Sequence, residues 1–262
     1  MKFLPLLISA TLLCSVSAEP IDLWALHVTE HSGWRDYNKN FNGQDNEQCW
    51  AIAAANLIDW WQELRPDQLP PETPRGTEIL RHFTHSFTNA GSDPDEAIYW
   101  WFNGVYKPGS PDCAALRPNC PGGFLKTLLP KDREIKGTLL ISMRGEQVNA
   151  ASATTALIEG AKKGAAFWVG VSYISPKGRP AMHSLNVWGI RYETSENAPP
   201  RLCGIRIADS DDHLHGMTYI PLKVDQNMLI FDCPQHPLYG KMPRIELDTI
   251  TTLLPPGQQA DK

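Results

Sequence analysis

Three apolar, β-rich runs follow one another late in the chain: Ala165–Tyr173, His183–Tyr192 and Leu202–Ala208. The loops between them carry Gly or Pro. Consecutive β-rich runs with such connections predict antiparallel neighbours in one sheet. A fourth strand is expected at Met217–Pro221 and another near Met228–Phe231. Upstream the pattern is helical. The strongest helix runs through Ile52, Leu57, Ile58 and Trp61, with Asp45 or Asn46 as its cap and an end near Leu64, because Pro66 disfavours helix in the residue before it.

A loop with four prolines spans Arg65 to Arg75, and a helix over Thr77–Phe87 follows. The next helix is marked by Asp93 as cap, Pro94 in the first turn, Asp95 and Glu96 against the dipole, and Gly104 at the end. A short helix at Gly122–Leu129, a strand at Gly137–Met143 and a helix over Ala150–Lys163 closed by Gly164 complete the series, and a short strand at Leu23–Val28 precedes it. Helices first and sheet second is an α+β order, with room for a cleft between the halves.

The N-terminus reads as an export signal. Lys2 supplies a positive start, Phe3 to Cys14 is apolar but too short to span a bilayer, and Val16-Ser17-Ala18 offers small residues for cleavage. Removing residues 1–18 of 262 leaves 244. We read residues 19–256 as one domain, residues 257–262 as a disordered tail, and the mature protein as secreted or periplasmic, with no membrane anchor. A net charge of −5 without any Lys/Arg cluster argues against a nucleic-acid partner. Nothing in the sequence specifies an oligomeric state.

Six cysteines less Cys14 leaves five in the exported chain, an odd number. Cys113 and Cys120 flank a short loop suited to a disulfide, and Cys203 with Cys233 is the second expected pair. Cys49 is then the free thiol.

Cys49 also opens the strongest helix. A helix N-terminus carries roughly half a positive charge and favours thiolate, the nucleophilic form. His183 begins an apolar strand, and Asp209 ends the next one. Adjacent antiparallel strands in the right register bring the two together. A nucleophile, a base and a group that orients the base is the arrangement acyl transfer requires. Taken singly, each has a blander reading: Cys49 as a core thiol, His183 as a core histidine and Asp209 as a turn residue.

The local contexts are more specific. The stretch Gly33 to Asp45, then Cys49-Trp50-Ala51 with Asn56 and Trp60-Trp61 behind it, resembles the nucleophile region of the IdeS/Mac immunoglobulin-degrading cysteine proteases. His183-Ser184-Leu185-Asn186-Val187-Trp188-Gly189 is similar to that family's histidine strand, and Asp209-Ser210-Asp211 to its Asp-Ser-Asp element. Trp101-Phe102-Asn103-Gly104 and Gly122-Gly123-Phe124 have counterparts in order.

The resemblance implies a papain-like fold, with a helical N-terminal half whose nucleophile helix lies on a mainly antiparallel sheet. It implies Cys49 as nucleophile, His183 as base, Asp209 orienting His183, and Asp211 as a supporting carboxylate. Lys39 and the Cys49 N–H would form the oxyanion hole. Without it, Gln44 or Gln48 would be the expected oxyanion donor. The partner implied is a protein substrate, immunoglobulin or another host protein, and no cofactor or metal is called for. This chain is shorter than the described enzymes between Trp61 and Trp101 and carries more cysteine.

Two other activities fit the same three residues: transglutaminase-like acyl transfer to an amine, and an inactive relative that binds immunoglobulin. Elsewhere, His82 and His85 lie three residues apart without an evident third metal ligand. The cluster Asp209, Asp211, Asp212, His213 and His215 lacks EF-hand spacing.

Overall fold

A computed structural model describes residues 19–40, 45–104, 116–117, 120, 122–128, 135, 139–212 and 215–258. The expected signal segment 1–18 and Cys113 therefore fall outside the described residues, while Cys120 is a free thiol, so the expected Cys113–Cys120 disulfide is absent. At the C-terminus, the Gln258 N–H closes a turn on the Pro255 carbonyl at 3.1 Å.

The described residues form four helices and eight strands. The helices are α1 (Cys49–Glu63), α2 (Thr77–Ser86), α3 (Pro94–Asn103) and α4 (Ala150–Lys162). The strands are β1 (Ile21–Trp24), β2 (Leu140–Arg144), β3 (Ala166–Ile174), β4 (Pro180–Ser195), β5 (Ala198–Ala208), β6 (Thr218–Asp225), β7 (Met228–Phe231) and β8 (Ile245–Leu253). Where a helix over Gly122–Leu129 was expected, the described residues 122–128 form a 3-10 turn at Lys126–Leu128.

The sheet corrects the fold expected from sequence. Its order is β4-β3-β8-β7-β6-β5, and β5 pairs back onto β4. The result is a closed six-stranded antiparallel barrel with four helices, where a papain-like helix-on-sheet fold was expected. Two features close it. The 16-residue β4 holds β3 along Pro180–Val187 and β5 along Asn186–Ser195, with three register shifts in the second pairing. Such bulges bend a strand and tighten its twist. The second feature is β8, which no apolar run announces because threonines and acids interrupt it, yet it pairs with β3, β2 and β7. The seam to β7 is narrow, a single residue pair, Ile230 with Glu246. Strands β1 and β2 extend the sheet beside β4 and β8.

Side chains sort by face. Phe167, Val169 and Val171 of β3, Leu185 and Val187 of β4, and Ile205 and Ile207 of β5 fill the barrel interior with residues from α4. Asn149 caps α4, accepting the Ala151 and Ser152 N–H groups at 3.1 and 3.0 Å, and Gly164 at φ +72° ends it. On the outside, α1 lies against β4 and β3 and against α2 and α3. Because every side of α1 meets protein, Trp50 through Ile58 are all buried, the composition of a core helix rather than a surface one.

The cap expected for α1 is absent. Gln48 holds the N-cap position without a side-chain bond, and Asp45 instead accepts the Asn40 N–H at 2.6 Å. The expected Cys203–Cys233 disulfide is also absent, and both thiols are free. Cys203 points toward the Arg201 carbonyl on the outer side of β5, while Cys233 follows β7 and packs against the interior cluster, so the two face different environments. Among the described residues, no helix is long and apolar enough to cross a membrane.

Candidate active site

Cys49 is the first residue of α1, so it sits where the helix's leading N–H groups have no helical acceptors. The position of α1 on the barrel is locked by buried amides. Asn56 donates to Asn186 Oδ1 at 2.8 Å, and Asn186 donates to the Ala53 carbonyl at 2.9 Å. The Tyr37 N–H donates to Asn56 Oδ1 at 2.9 Å, tying the preceding segment to the same helix. Asn186 stands three residues after His183, so the clamp fixes the spacing between the thiol's helix and the histidine's strand. Both asparagines belong to the motif stretches, but their mutual contact was not legible from them.

His183 and Asp209 meet as the strand order predicted. The β4–β5 register pairs Asn186 with Ala208, which places Asp209 just beyond the last pair and across from the His183 end of β4. His183 Nε2 lies 2.6 Å from Asp209 Oδ1. With Nε2 committed to Asp209, Nδ1 is the nitrogen left for the Cys49 thiol, which is hydrogen-bonded to this histidine. His183 is 7% exposed and Asp209 2% exposed.

Lys39 and Asp211 complete the group. The Lys39 ammonium reaches Asp211 Oδ1 at 2.7 Å and the Asn46 carbonyl at 2.8 Å, although the residue is only 6% exposed. Its own N–H donates to the Ser210 carbonyl at 3.0 Å, stitching the N-terminal segment to the loop after β5. Asp211 Oδ1 is 4.0 Å from His183 Nε2 and also accepts the Ser210 hydroxyl at 2.9 Å. The Asp211 N–H donates to Asp209 Oδ1 at 2.9 Å. The five residues singled out from sequence, Lys39, Cys49, His183, Asp209 and Asp211, thus converge at one point.

Gln48, the alternative oxyanion donor, is turned away. Its Nε2 donates to the Thr88 carbonyl at 3.0 Å in a fully buried setting. Gln44 lies outside the described residues.

The charges are mutually set. Burial pushes the Cys49 pKa up, but the hydrogen bond and charge of His183, then Lys39 and the Ser184 backbone, outweigh it and leave the thiol below its ordinary value. Burial pulls His183 down, but the Asp209 carboxylate and then Cys49 raise it well above an ordinary imidazole. Burial raises Asp209, and His183 with Tyr239 more than reverses that, so its carboxyl sits below the usual range. All three directions describe a thiolate–imidazolium pair held by a carboxylate.

Two neighbours were not visible in the sequence. Tyr239, in a 3-10 turn at Tyr239–Lys241, donates its hydroxyl to Asp209 Oδ2. Asp36 accepts the Gly216 N–H at 2.8 Å, and its pKa is pushed up to about 6 by burial and then by Asp212 and Asp209.

Among the described residues, the group able to gather three metal-ligand atoms is His183, Asp209 and Asp211, within 4.8 Å of one another. Those atoms already satisfy one another, and Asp209 holds the His183 pKa above that of an ordinary imidazole, which disfavours a cation there. His82 instead stands edge-on to Trp101 and Phe124. His213 of the acidic cluster lies outside the described residues.

At the β3–β4 hairpin lies a groove of about 580 Å³, lined by Ser172, Tyr173, Pro180, Met182, Arg244 and Glu246 and by none of the five site residues. Met182, the residue before His183, is 68% exposed on its rim. The groove is mostly apolar with a charged end and runs along the β3–β4 hairpin.

No family model matches the chain, and no curated protein matches it in sequence.

Proposed function

We propose that this chain is an exported cysteine endopeptidase related to the IdeS/Mac immunoglobulin-degrading proteases, acting on an extended segment of immunoglobulin or another host protein. The observation that carries the reading is the hydrogen-bonded series Cys49–His183–Asp209 at the start of a buried helix.

The chemistry follows from the geometry. The Cys49 thiolate attacks the scissile carbonyl carbon. Negative charge develops on the carbonyl oxygen, where the Cys49 N–H and the nearby Lys39 ammonium offer stabilisation. The His183 imidazolium gives its proton to the departing amine, leaving an acyl-thioester. A water molecule then attacks the thioester carbonyl and passes its proton to His183, and collapse of the intermediate releases the acid and restores the ion pair. Asp209 keeps its negative charge throughout, holding the imidazole in place and stabilising its protonated form.

The test is incubation of the protein with intact immunoglobulins under mild reduction, with Cys49→Ala alongside. Discrete fragments that vanish in the folded variant are expected. Fragments that persist with Cys49→Ala would overturn the reading. Incorporation of a labelled amine without cleavage would replace peptidase by acyl transferase. Immunoglobulin binding by a protein whose Cys49 resists iodoacetamide at mildly acidic pH would replace it by an inactive binding relative.

A further inference from the structure

Asp209 is the least exposed member of the candidate site, and its two oxygens are held differently. Oδ1 takes His183 Nε2 and the Asp211 N–H, while Oδ2 takes the Tyr239 hydroxyl. Tyr239 is itself a fixed donor. It is 3% exposed, its ring stacks on His236 at 4.6 Å between centroids, and the Phe231 ring meets it edge-on at 5.3 Å. His236 in turn accepts the Leu238 and Tyr239 N–H groups on Nδ1 at 3.3 and 3.2 Å, so the 3-10 turn carrying the tyrosine is pinned at its start. The phenol thus reaches Asp209 from the segment between β7 and β8, on the oxygen that His183 does not take.

From this we infer that Tyr239 is a positioning residue that, through its hydroxyl, holds Asp209 charged and aimed at His183. The inference rests on the reading of Cys49 as an activated thiolate. Ionised and protonated forms of a buried carboxyl compete, and each donor to the ionised form favours it. Tyr239 does not touch the thiol or a substrate carbonyl, and it acts only through Asp209. The other charged or titratable groups that feel Asp209, Tyr239 or the thiol are Asp211 and Asp212 after β5, His236 before the turn, Asp36 and Lys39 on the N-terminal segment, and Tyr173 on β3. None of them bonds Asp209 Oδ2 in place of the phenol among the hydrogen bonds described.

The sign follows directly. Removing the hydroxyl raises the Asp209 pKa, so Asp209 is neutralised at a higher pH as acid is added, and the imidazolium loses its counter-charge earlier. The acid limb of thiolate reactivity therefore moves to higher pH.

The measurement is the second-order rate of iodoacetamide alkylation at Cys49, read by mass spectrometry of its peptide across the pH range. Wild type, Tyr239→Phe and Phe231→Leu are compared. We expect the acid limb of Tyr239→Phe to rise by about half a pH unit or more and its plateau rate to fall about tenfold, the effect of losing a hydrogen bond to a charged group. Phe231→Leu, which disturbs the same packing but keeps the hydroxyl, is expected to leave the limb in place. A Tyr239→Phe profile that superimposes on wild type overturns the inference, as does an equal shift in Phe231→Leu. If Tyr239→Phe does not fold, 3,5-difluorotyrosine at position 239 keeps the shape and strengthens the donor. Its limb must then move to lower pH, and an unmoved limb overturns the inference. A wild-type Cys49 that reacts no faster in mild acid than an ordinary thiol defeats the underlying reading instead, and is distinguishable because the variants are not needed to see it.

Discussion

Asp209→Asn separates charge from shape at the candidate site. Asparagine is nearly isosteric, its Oδ1 can still accept from His183 Nε2 and the Asp211 N–H, and its amide can donate to the Tyr239 oxygen. What disappears is a full negative charge 2.6 Å from the imidazole in a setting almost closed to water. A hydrogen bond to a charged partner is worth roughly 1.5–3 kcal/mol. At about 1.4 kcal/mol per factor of ten, its loss predicts a fall in kcat/KM of about ten- to a hundredfold.

The pH dependence gives a sharper signature. His183 is raised well above an ordinary imidazole because the Asp209 carboxylate overcomes its burial. A raised histidine contributes stability that is fully present below its unfolded pKa, about 6.5, and lost as pH rises through the folded value. In Asp209→Asn the folded value drops, so the basic limb of kcat/KM, which needs the imidazolium to protonate the leaving amine, moves to lower pH. The stability advantage of wild type over variant is then largest in mild acid and shrinks above the folded pKa. The pH profile of kcat/KM and urea midpoints at several pH values measure the two effects. A variant with wild-type rate and an unmoved basic limb would refute the argument that this carboxylate holds the imidazolium.

Three further outcomes are expected. Lys39→Met removes a cation that lowers the Cys49 pKa and strips Asp211 of its ion pair, so kcat should fall on the order of a hundredfold and the acid limb of alkylation should rise; wild-type kcat in this variant would remove Lys39 from the mechanism. Asn56→Leu leaves Asn186 Oδ1 and the Tyr37 N–H without their partners in the core, and should cost about 2–4 kcal/mol in urea unfolding; a loss below about 0.5 kcal/mol would show that the amide clamp does not set the helix position. Asp36, raised to about 6, is ionised at a cost above that pH, so Asp36→Asn should gain on the order of 1 kcal/mol above pH 6 after allowance for solvent screening and little below pH 4, and an equal gain at both would contradict the burial argument.

Much of the site could be read along the chain because its chemistry is local. Cys49 opens a helix whose apolar content is visible over Trp50–Trp61, and the His183 and Asp209 strands are apolar runs with polar ends. Helix α3 was equally legible, since Asp93 caps it by accepting the Asp95 N–H at 2.9 Å and Gly104 ends it at φ +77°. Signals of this kind involve residues within one turn or one strand of each other.

What the residues could not announce depends on distant partners. Barrel closure rests on the bulges of β4 and on β8, whose alternating polar and apolar residues become a strand only when β3 and β2 supply backbone partners. Tyr239 lies 30 residues from Asp209 and Asn186 lies 130 from Asn56, so neither bond leaves a spacing in the sequence. Asp45, a plausible cap by composition, instead accepts the Asn40 N–H, and α1 begins without a side-chain cap. Cys203 and Cys233 satisfied the pairing parity expected if the chain is exported, yet both thiols are free in the folded chain. Residue types and local periodicity therefore set which groups can do chemistry, and sheet closure, through pairings between residues far apart in the chain, decided which of them meet.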